Sequence, residues 1–437
     1  MFGCAWLMPA RPRGRGLPMR GLAAAAFLLG AAAVATAQPE AHRLDNGLVA
    51  AWETLGAYDS VCITFACPRP PSERMVGASS VLTAALRAAA QNPGGASERI
   101  SRVGGSWSVA EAGGRIEVQA AGLPGSAGEL IAALAELLLG APSTRSLVQD
   151  GSLRRQLDAL NGRPTIQGEA MRQLLGRPWW PDGDEVRATA RLLEPQDVDR
   201  LREEWLCASR CGVSVVSSSA DVVPKEALAP LAAMPYGNPA MGLPRVFEPG
   251  DGSRTKRRED RGQSLVILAA AGPEPFSAAA VPWHVTAQYL GAGNASPLFK
   301  GLRAKAGLSY LVGSRWLWLE GGLLWTEAHC DPGDEARTTE LLARVVEEEA
   351  GGEPDGQRVE QSRRWAQTEW RRDMTSPGKR ARLRAAGMAM GAGIEWPEAV
   401  AEAITKVDSQ DIRLVLETLC SDGVWFQIES GLGVGRS

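Results

Sequence analysis

Asn294-Ala295-Ser296-Pro297-Leu298-Phe299-Lys300-Gly301-Leu302-Arg303-Ala304-Lys305-Ala306-Gly307-Leu308-Ser309-Tyr310 decides how this chain is read. Leu298, Phe299 and Leu302 fall at helical spacing, and Gly307 stands where a C-terminal cap belongs. The segment therefore predicts a helix that stops at a glycine and hands a tyrosine to a strand. Trp316 and Trp318 then alternate, which puts both on one face of that strand. Arg303 and Tyr310 are the groups with chemistry to offer. A guanidinium presents a rigid fork of donors and a phenol adds one more, so together they can grip a peptide carbonyl or the negative charge developing on it. The plainer alternative is a surface arginine and a strand tyrosine with no ligand.

Outward from this stretch, the chain reads as one design used twice. Glu194-Pro195-Gln196-Asp197-Val198 opens a helix leading into the β-branched run Gly212 to Val216, and Asp408-Ser409-Gln410-Asp411-Ile412 opens another leading into Gly423 to Ile428. Pro195 suits a first helical position, and Ser409 can cap its helix with Asp411 in the first turn. The offset is about half the chain, far longer than a solenoid repeat. Each half also opens on strands, Val49 to Trp52 and Val61 to Phe65 in the first and Ser264 to Leu268 in the second, with His284 to Leu290 helical. Helices over 127–139 and 336–349 should cover the sheets. These patterns predict an α+β fold of two homologous domains, each a mixed or antiparallel β-sheet covered by helices. The expected boundaries are a signal peptide over 1–37, domains over 38–235 and 263–437, and a Gly-, Pro- and charge-rich linker over 236–262.

The N-terminus carries Arg11, Arg13, Arg15 and Arg20 before an apolar run from Gly21 to Val34, and Ala35-Thr36-Ala37 offers a small-x-small cleavage site. The run is shorter than the roughly 20 residues of a spanning helix, so export is expected, to a periplasmic or secreted location, without stable membrane insertion. Cleavage would remove four of the 47 basic residues and none of the 50 acids, leaving a formal charge of -7. No basic nucleic-acid footprint remains. The cluster Arg254 to Arg261 has interspersed acids and no aromatic partners and reads as solvated linker. Six cysteines, Cys62, Cys67, Cys207, Cys211, Cys330 and Cys420, would remain in the exported chain. An even number permits disulfides, but spacing does not choose among the pairings. Cys207 and Cys211, four apart near the end of a helix, could form a local disulfide or ligate a metal; without a neighbouring histidine or further cysteine they make a poor zinc site, so the structural reading is favoured.

The order small-Ser-x-Leu-Phe-x-x-Leu-Arg-x-Lys-x-Gly-Leu-x-Tyr over 295–310 resembles the C-terminal-half signature of the pitrilysin/insulinase-like zinc metallopeptidases. The Leu44-Asp45-Asn46-Gly47-Leu48 opening and the helix around Ser80 sit where that family has theirs, so the resemblance extends over essentially the whole exported chain. Catalytic members carry His-x-x-Glu-His in the first half. In the matching stretch Gly77-Ala78-Ser79-Ser80-Val81-Leu82-Thr83-Ala84-Ala85-Leu86, Ser80 and Ala84 take the places of the histidines and Thr83 that of the glutamate. None of these supplies an imidazole ligand or a carboxylate base. The chain has only His42, His284 and His329, too far apart in sequence to rebuild the motif.

The resemblance implies one half of a clamshell, with substrate bound by Arg303 and Tyr310 and no metal or cofactor of its own. Zinc is expected only in a partner chain, a homologous subunit bearing His-x-x-Glu-His, with peptide as substrate, as in the mitochondrial processing peptidase. Gly104-Gly105-Ser106-Trp107-Ser108 resembles the family's substrate-side edge strand, where a peptide adds by backbone pairing. An inert structural or peptide-binding scaffold of the same fold is the alternative. An autonomous serine or cysteine hydrolase finds no support, because no Gly-x-Ser-x-Gly is present.

Overall fold

The computed structural model describes residues 38–430 apart from 56–59, 70–74, 76, 113–114, 141–150, 161–182, 218–223, 238–253, 259–261 and 319–321. The expected signal peptide and most of the expected linker therefore lie outside the described residues.

Strands β1 (Glu40–Arg43), β2 (Val49–Thr54), β3 (Val61–Pro68), β4 (Ser106–Ala112), β5 (Arg115–Gly122) and β6 (Gly212–Ser217) form one sheet, ordered β1-β2-β6-β3-β5-β4. Strands β7 (Arg254–Arg258), β8 (Ser264–Ala271), β9 (Ser309–Leu317), β10 (Leu323–Cys330) and β11 (Val424–Ser430) form the second, ordered β7-β11-β8-β10-β9. In each sheet one pair is parallel, β2 with β6 and β7 with β11, and the other pairs are antiparallel. Without β1, the two orders correspond strand for strand. The fold is thus the predicted α+β arrangement of two helix-covered mixed sheets.

That correspondence matches β7 to β2 and gives a structural role to residues assigned to the linker. Arg-Thr-Lys-Arg-Arg lacks the alternation that marks a half-buried strand, but it lies at a sheet edge, where charged residues discourage pairing with other chains. Its backbone register runs from Arg254 opposite Phe426 to Arg258 opposite Ser430.

Helices α1 (Ala78–Ala90), α2 (Ala127–Leu139) and α3 (Pro195–Trp205) pack with the first sheet, and α4 (Val281–Gly291), α5 (Glu335–Gly351), α6 (Pro377–Ala389) and α7 (Ser409–Asp422) belong to the second half by sequence. Val81, Leu82, Leu86, Leu130, Leu134 and Phe65 share one buried cluster, and Leu268, Val285, Tyr289, Leu342 and Leu416 share another. Both α3 and α7 start with reciprocal capping boxes, Glu194 with Asp197 and Asp408 with Asp411. The cap of α7 is Asp408 rather than Ser409. Asp408 has the extended backbone a cap requires, so Ser409 becomes the first helical residue.

Helix α6 crosses from the second half onto the first sheet. Ala381, Ala385 and Ala389 line it, with Ala381 packed against Leu55 and Val216, and Ala385 and Ala389 against Ala66. A Cβ at Gly212 would stand 2.1 Å from the Ala385 carbonyl oxygen, so this approach requires glycine. Strand β6 is consequently buried along its length, which explains its uninterrupted Val-Ser-Val-Val run. Charge completes the seam. Arg380 and Arg384 of α6 both pair with Glu53 of β2, and Arg382 pairs with Glu117 of β5.

Candidate functional site

The turn that carries Arg303 is built from its small residues. The Ser296 hydroxyl accepts from the Phe299 N–H at 3.3 Å, and the chain then winds as a π-helix over Phe299–Lys305. Gly301 presses against α5, where a Cβ would lie 2.6 Å from a Val345 methyl. The turn closes at Gly307, whose φ of 64° is left-handed. There the Gly307 N–H donates to the Arg303 carbonyl at 3.2 Å and the Leu308 N–H to the Leu302 carbonyl at 3.0 Å. Ser309 starts β9, so the predicted helix, glycine stop and strand are all present. The helix differs only in its wider π winding, a form that often accompanies functional sites.

Tyr310 lies near the start of β9, the outermost strand of its sheet, with 75% of its surface exposed. The Arg303 guanidinium is 4.8 Å from the Tyr310 ring centre and 5.1 Å from that of Phe299. Stacking on two aromatic faces holds the cation in place without consuming its N–H donors. Among the described residues Arg303 makes no ion pair. The structure thus brings the two predicted substrate-binding residues into contact, beside a strand edge with unpaired backbone groups and next to exposed Leu311.

In the first half, Ser80, Thr83 and Ala84 lie on α1 as the sequence match requires. Ala84 is fully buried in the core, and Thr83 is also buried with its hydroxyl unpartnered. The Ser80 hydroxyl donates to Glu111 on β4 at 2.8 Å, and Ser79 donates to the other carboxylate oxygen. Burial raises the Glu111 pKa, while the two serine hydroxyls and nearby Arg69 oppose the shift. A zinc ion does not fit these residues. One expected ligand position has no donor atom and is closed by packing, and the hydroxyl at the other is committed to a carboxylate. Among the described residues no group of three or more His, Cys, Asp or Glu is placed to hold a metal.

Glu111 escaped the sequence reading, because nothing in Ser-Val-Ala-Glu-Ala marks that residue as facing a helix some thirty positions earlier. The edge-strand segment it belongs to does appear as β4, the counterpart of β9, with Gly104 at φ 70° just as Gly307 precedes β9. Most of the described tryptophans join core rather than site. Trp283, Trp316, Trp318, Trp370 and Trp396 pack around His284 and Phe276 in a continuous aromatic cluster. Trp179-Trp180 lies outside the described residues.

Two sheets of matching strand order and a first-half helix without zinc ligands define the class: a duplicated α+β fold in which, among the described residues, no group is placed to hold a metal. Residues 193–364 match the family model for the Peptidase M16 inactive domain. Solved structures agree on the fold. An M16 inactive domain from Pseudomonas fluorescens has a TM-score of 0.76 at 14% identity, covering 90% of this chain and 98% of that one. A protease from Helicobacter pylori gives 0.75 at 14% identity, with 90% and 100% covered. A chain of Complex III2 from Candida albicans gives 0.70 at 13% identity, with 89% and 95% covered. No curated protein sequence matches the chain. Residues 193–364 are thus similar to the M16 inactive domain, and the fold of the chain is M16-like.

Proposed function

We propose that this chain is the zinc-free subunit of an exported two-chain peptidase, in which Arg303 and Tyr310 position the substrate peptide. The observation that carries this is the contact between Arg303 and Tyr310 beside the open edge of β9, in a chain whose α1 has lost every zinc-binding group. An inert fold has no use for an exposed guanidinium preassembled on an exposed phenol. Arg303 and Tyr310 would donate to a peptide carbonyl and stabilise the charge that builds on it, acting by position and electrostatics. The water-activating metal would come from a homologous partner bearing His-x-x-Glu-His. Burial of Thr83 and Ala84 in the core suits this division, since packing closes that part of the α1 site to a metal.

A structural or peptide-binding scaffold is the second reading, favoured by the likeness to a chain of Complex III2. The two separate when the chain is produced alone and together with a candidate partner, an exported homologue bearing His-x-x-Glu-His. Mass, zinc content and cleavage of a peptide library are then compared. The proposal expects no zinc and no cleavage for the chain alone, a stable mixed complex, and cleavage exceeding that of the homologue alone. A complex that forms without any gain in cleavage supports the scaffold; no complex at all refutes the partnership.

A further inference from the structure

Cys67 and Cys211 are far apart in sequence but face each other across the first sheet. Strands β3 and β6 pair antiparallel in a register that sets Ala66 opposite Gly212, and one step further along sets position 67 opposite 211. The two sulfurs stand 2.9 Å apart, both buried, while all six described cysteines are thiols in this structure. Directly opposed antiparallel residues have Cα atoms roughly 4.5–5.5 Å apart, inside the roughly 4.4–6.8 Å span a disulfide tolerates. Closing the sulfurs to a bond of about 2.05 Å needs a shift of less than ~1 Å.

The third thiol nearby is held elsewhere. The Cys207 sulfur accepts from the Arg210 guanidinium at 2.7 Å and donates toward the Glu203 and Glu204 carbonyls at 3.3 and 3.2 Å. It sits in the tight turn in which the Cys211 N–H donates to the Cys207 carbonyl at 3.1 Å.

We infer that Cys67 and Cys211 form a cross-strand disulfide in the oxidised protein, leaving Cys207 as a thiol. The two cysteines lose two protons and two electrons as one sulfur–sulfur bond forms. The oxidant is a disulfide-bearing small molecule or oxidoreductase, whose own sulfur–sulfur bond is reduced to two thiols that take up both protons. Burial holds the Cys67 thiol well above its usual pKa and makes it a poor nucleophile once the sheet is covered. The bond staples two central strands across a separation of 144 residues, enclosing most of the first half.

The test uses the full chain, refolded with oxidised and reduced glutathione, its remaining thiols capped with N-ethylmaleimide, and its peptides mapped without reduction. The expected result is a single cross-linked pair containing Cys67 and Cys211, with Cys207 capped, in the wild type and in Cys207→Ser alike. Reduction should lower the Tm of both proteins by roughly 4–16 °C, the range for a stabilising disulfide in a domain of this size. A Cys207–Cys211 link, or full capping of both Cys67 and Cys211, overturns the inference.

Discussion

Glu53→Ala is the most informative single change to the fold, because Glu53 anchors the helix that ties the two halves together. Its side chain is fully buried and accepts from Arg380 Nε at 2.6 Å, from a second Arg380 nitrogen, and from Arg384 at 3.2 Å. Arg384 has no exposed side-chain surface. Removing the carboxylate leaves two guanidinium groups in a desolvated seam, with half-exposed Glu398 as the remaining acid for both. Breaking a buried pair from one side costs about 3–5 kcal/mol. The surviving contacts to Glu398 and to the Ile394 carbonyl place this case near the lower end, about 3 kcal/mol. At about 2 °C per kcal/mol for a large domain, scanning calorimetry should show a Tm lower by roughly 6 °C. Replacing Glu53, Arg380 and Arg384 together by methionine should recover most of that loss, since a whole buried ion set exchanged for apolar volume is close to neutral. A loss below about 2 °C, or a triple variant no better than Glu53→Ala, would refute the seam as drawn.

Other outcomes follow from single residues. Gly212→Ala sets a Cβ against the Ala385 carbonyl; overpacking of about 1–3 kcal/mol is expected, read by urea denaturation as a lower midpoint with an unchanged slope. His284 has its pKa lowered to about 4, chiefly by burial, with the Ala366 backbone working weakly the other way although neither ring nitrogen reaches a hydrogen-bond partner of good geometry. The unfolded chain, titrating near 6.5, then takes up the proton first. The neutral ring's contribution is complete above that pH and is lost as pH falls from about 6.5 to about 4, by up to ~3 kcal/mol. His284→Phe should flatten this part of the stability–pH profile; an unchanged slope would count against the buried neutral imidazole. Gly307→Ala meets no atom within 4 Å but must hold φ near 64°, so it should cost about 1 kcal/mol. It should also weaken peptide turnover by a mixed complex more than it weakens assembly.

What was legible in the sequence was local. Leu298, Leu302 and Gly307 announce a helix and its stop because spacing and a left-handed glycine act within one turn. The paired Pro195 and Asp408 openings announce a duplicated design in the same way. Contacts set by tertiary structure were not legible. Glu53 meets Arg380 across 327 positions, and nothing near either residue signals the other. Strand β7 was hidden because its edge position favours charge over alternation. Glu111 was hidden because its partners, Ser79 and Ser80, looked only like the remains of a lost metal site. The Arg303–Tyr310 contact lies between these cases: both residues could be picked from their motif, but only folding shows that one stacks on the other.

The central claim is that this pair acts on substrate in a complex whose metal belongs to another chain. It is tested most directly by Arg303→Ala in the mixed complex with a His-x-x-Glu-His homologue, measuring turnover and subunit affinity in the same preparation. The account predicts that kcat/KM falls by roughly 100-fold or more, as when an oxyanion donor is removed, while the complex assembles as before with its zinc intact. Wild-type turnover by an intact Arg303→Ala complex would contradict it.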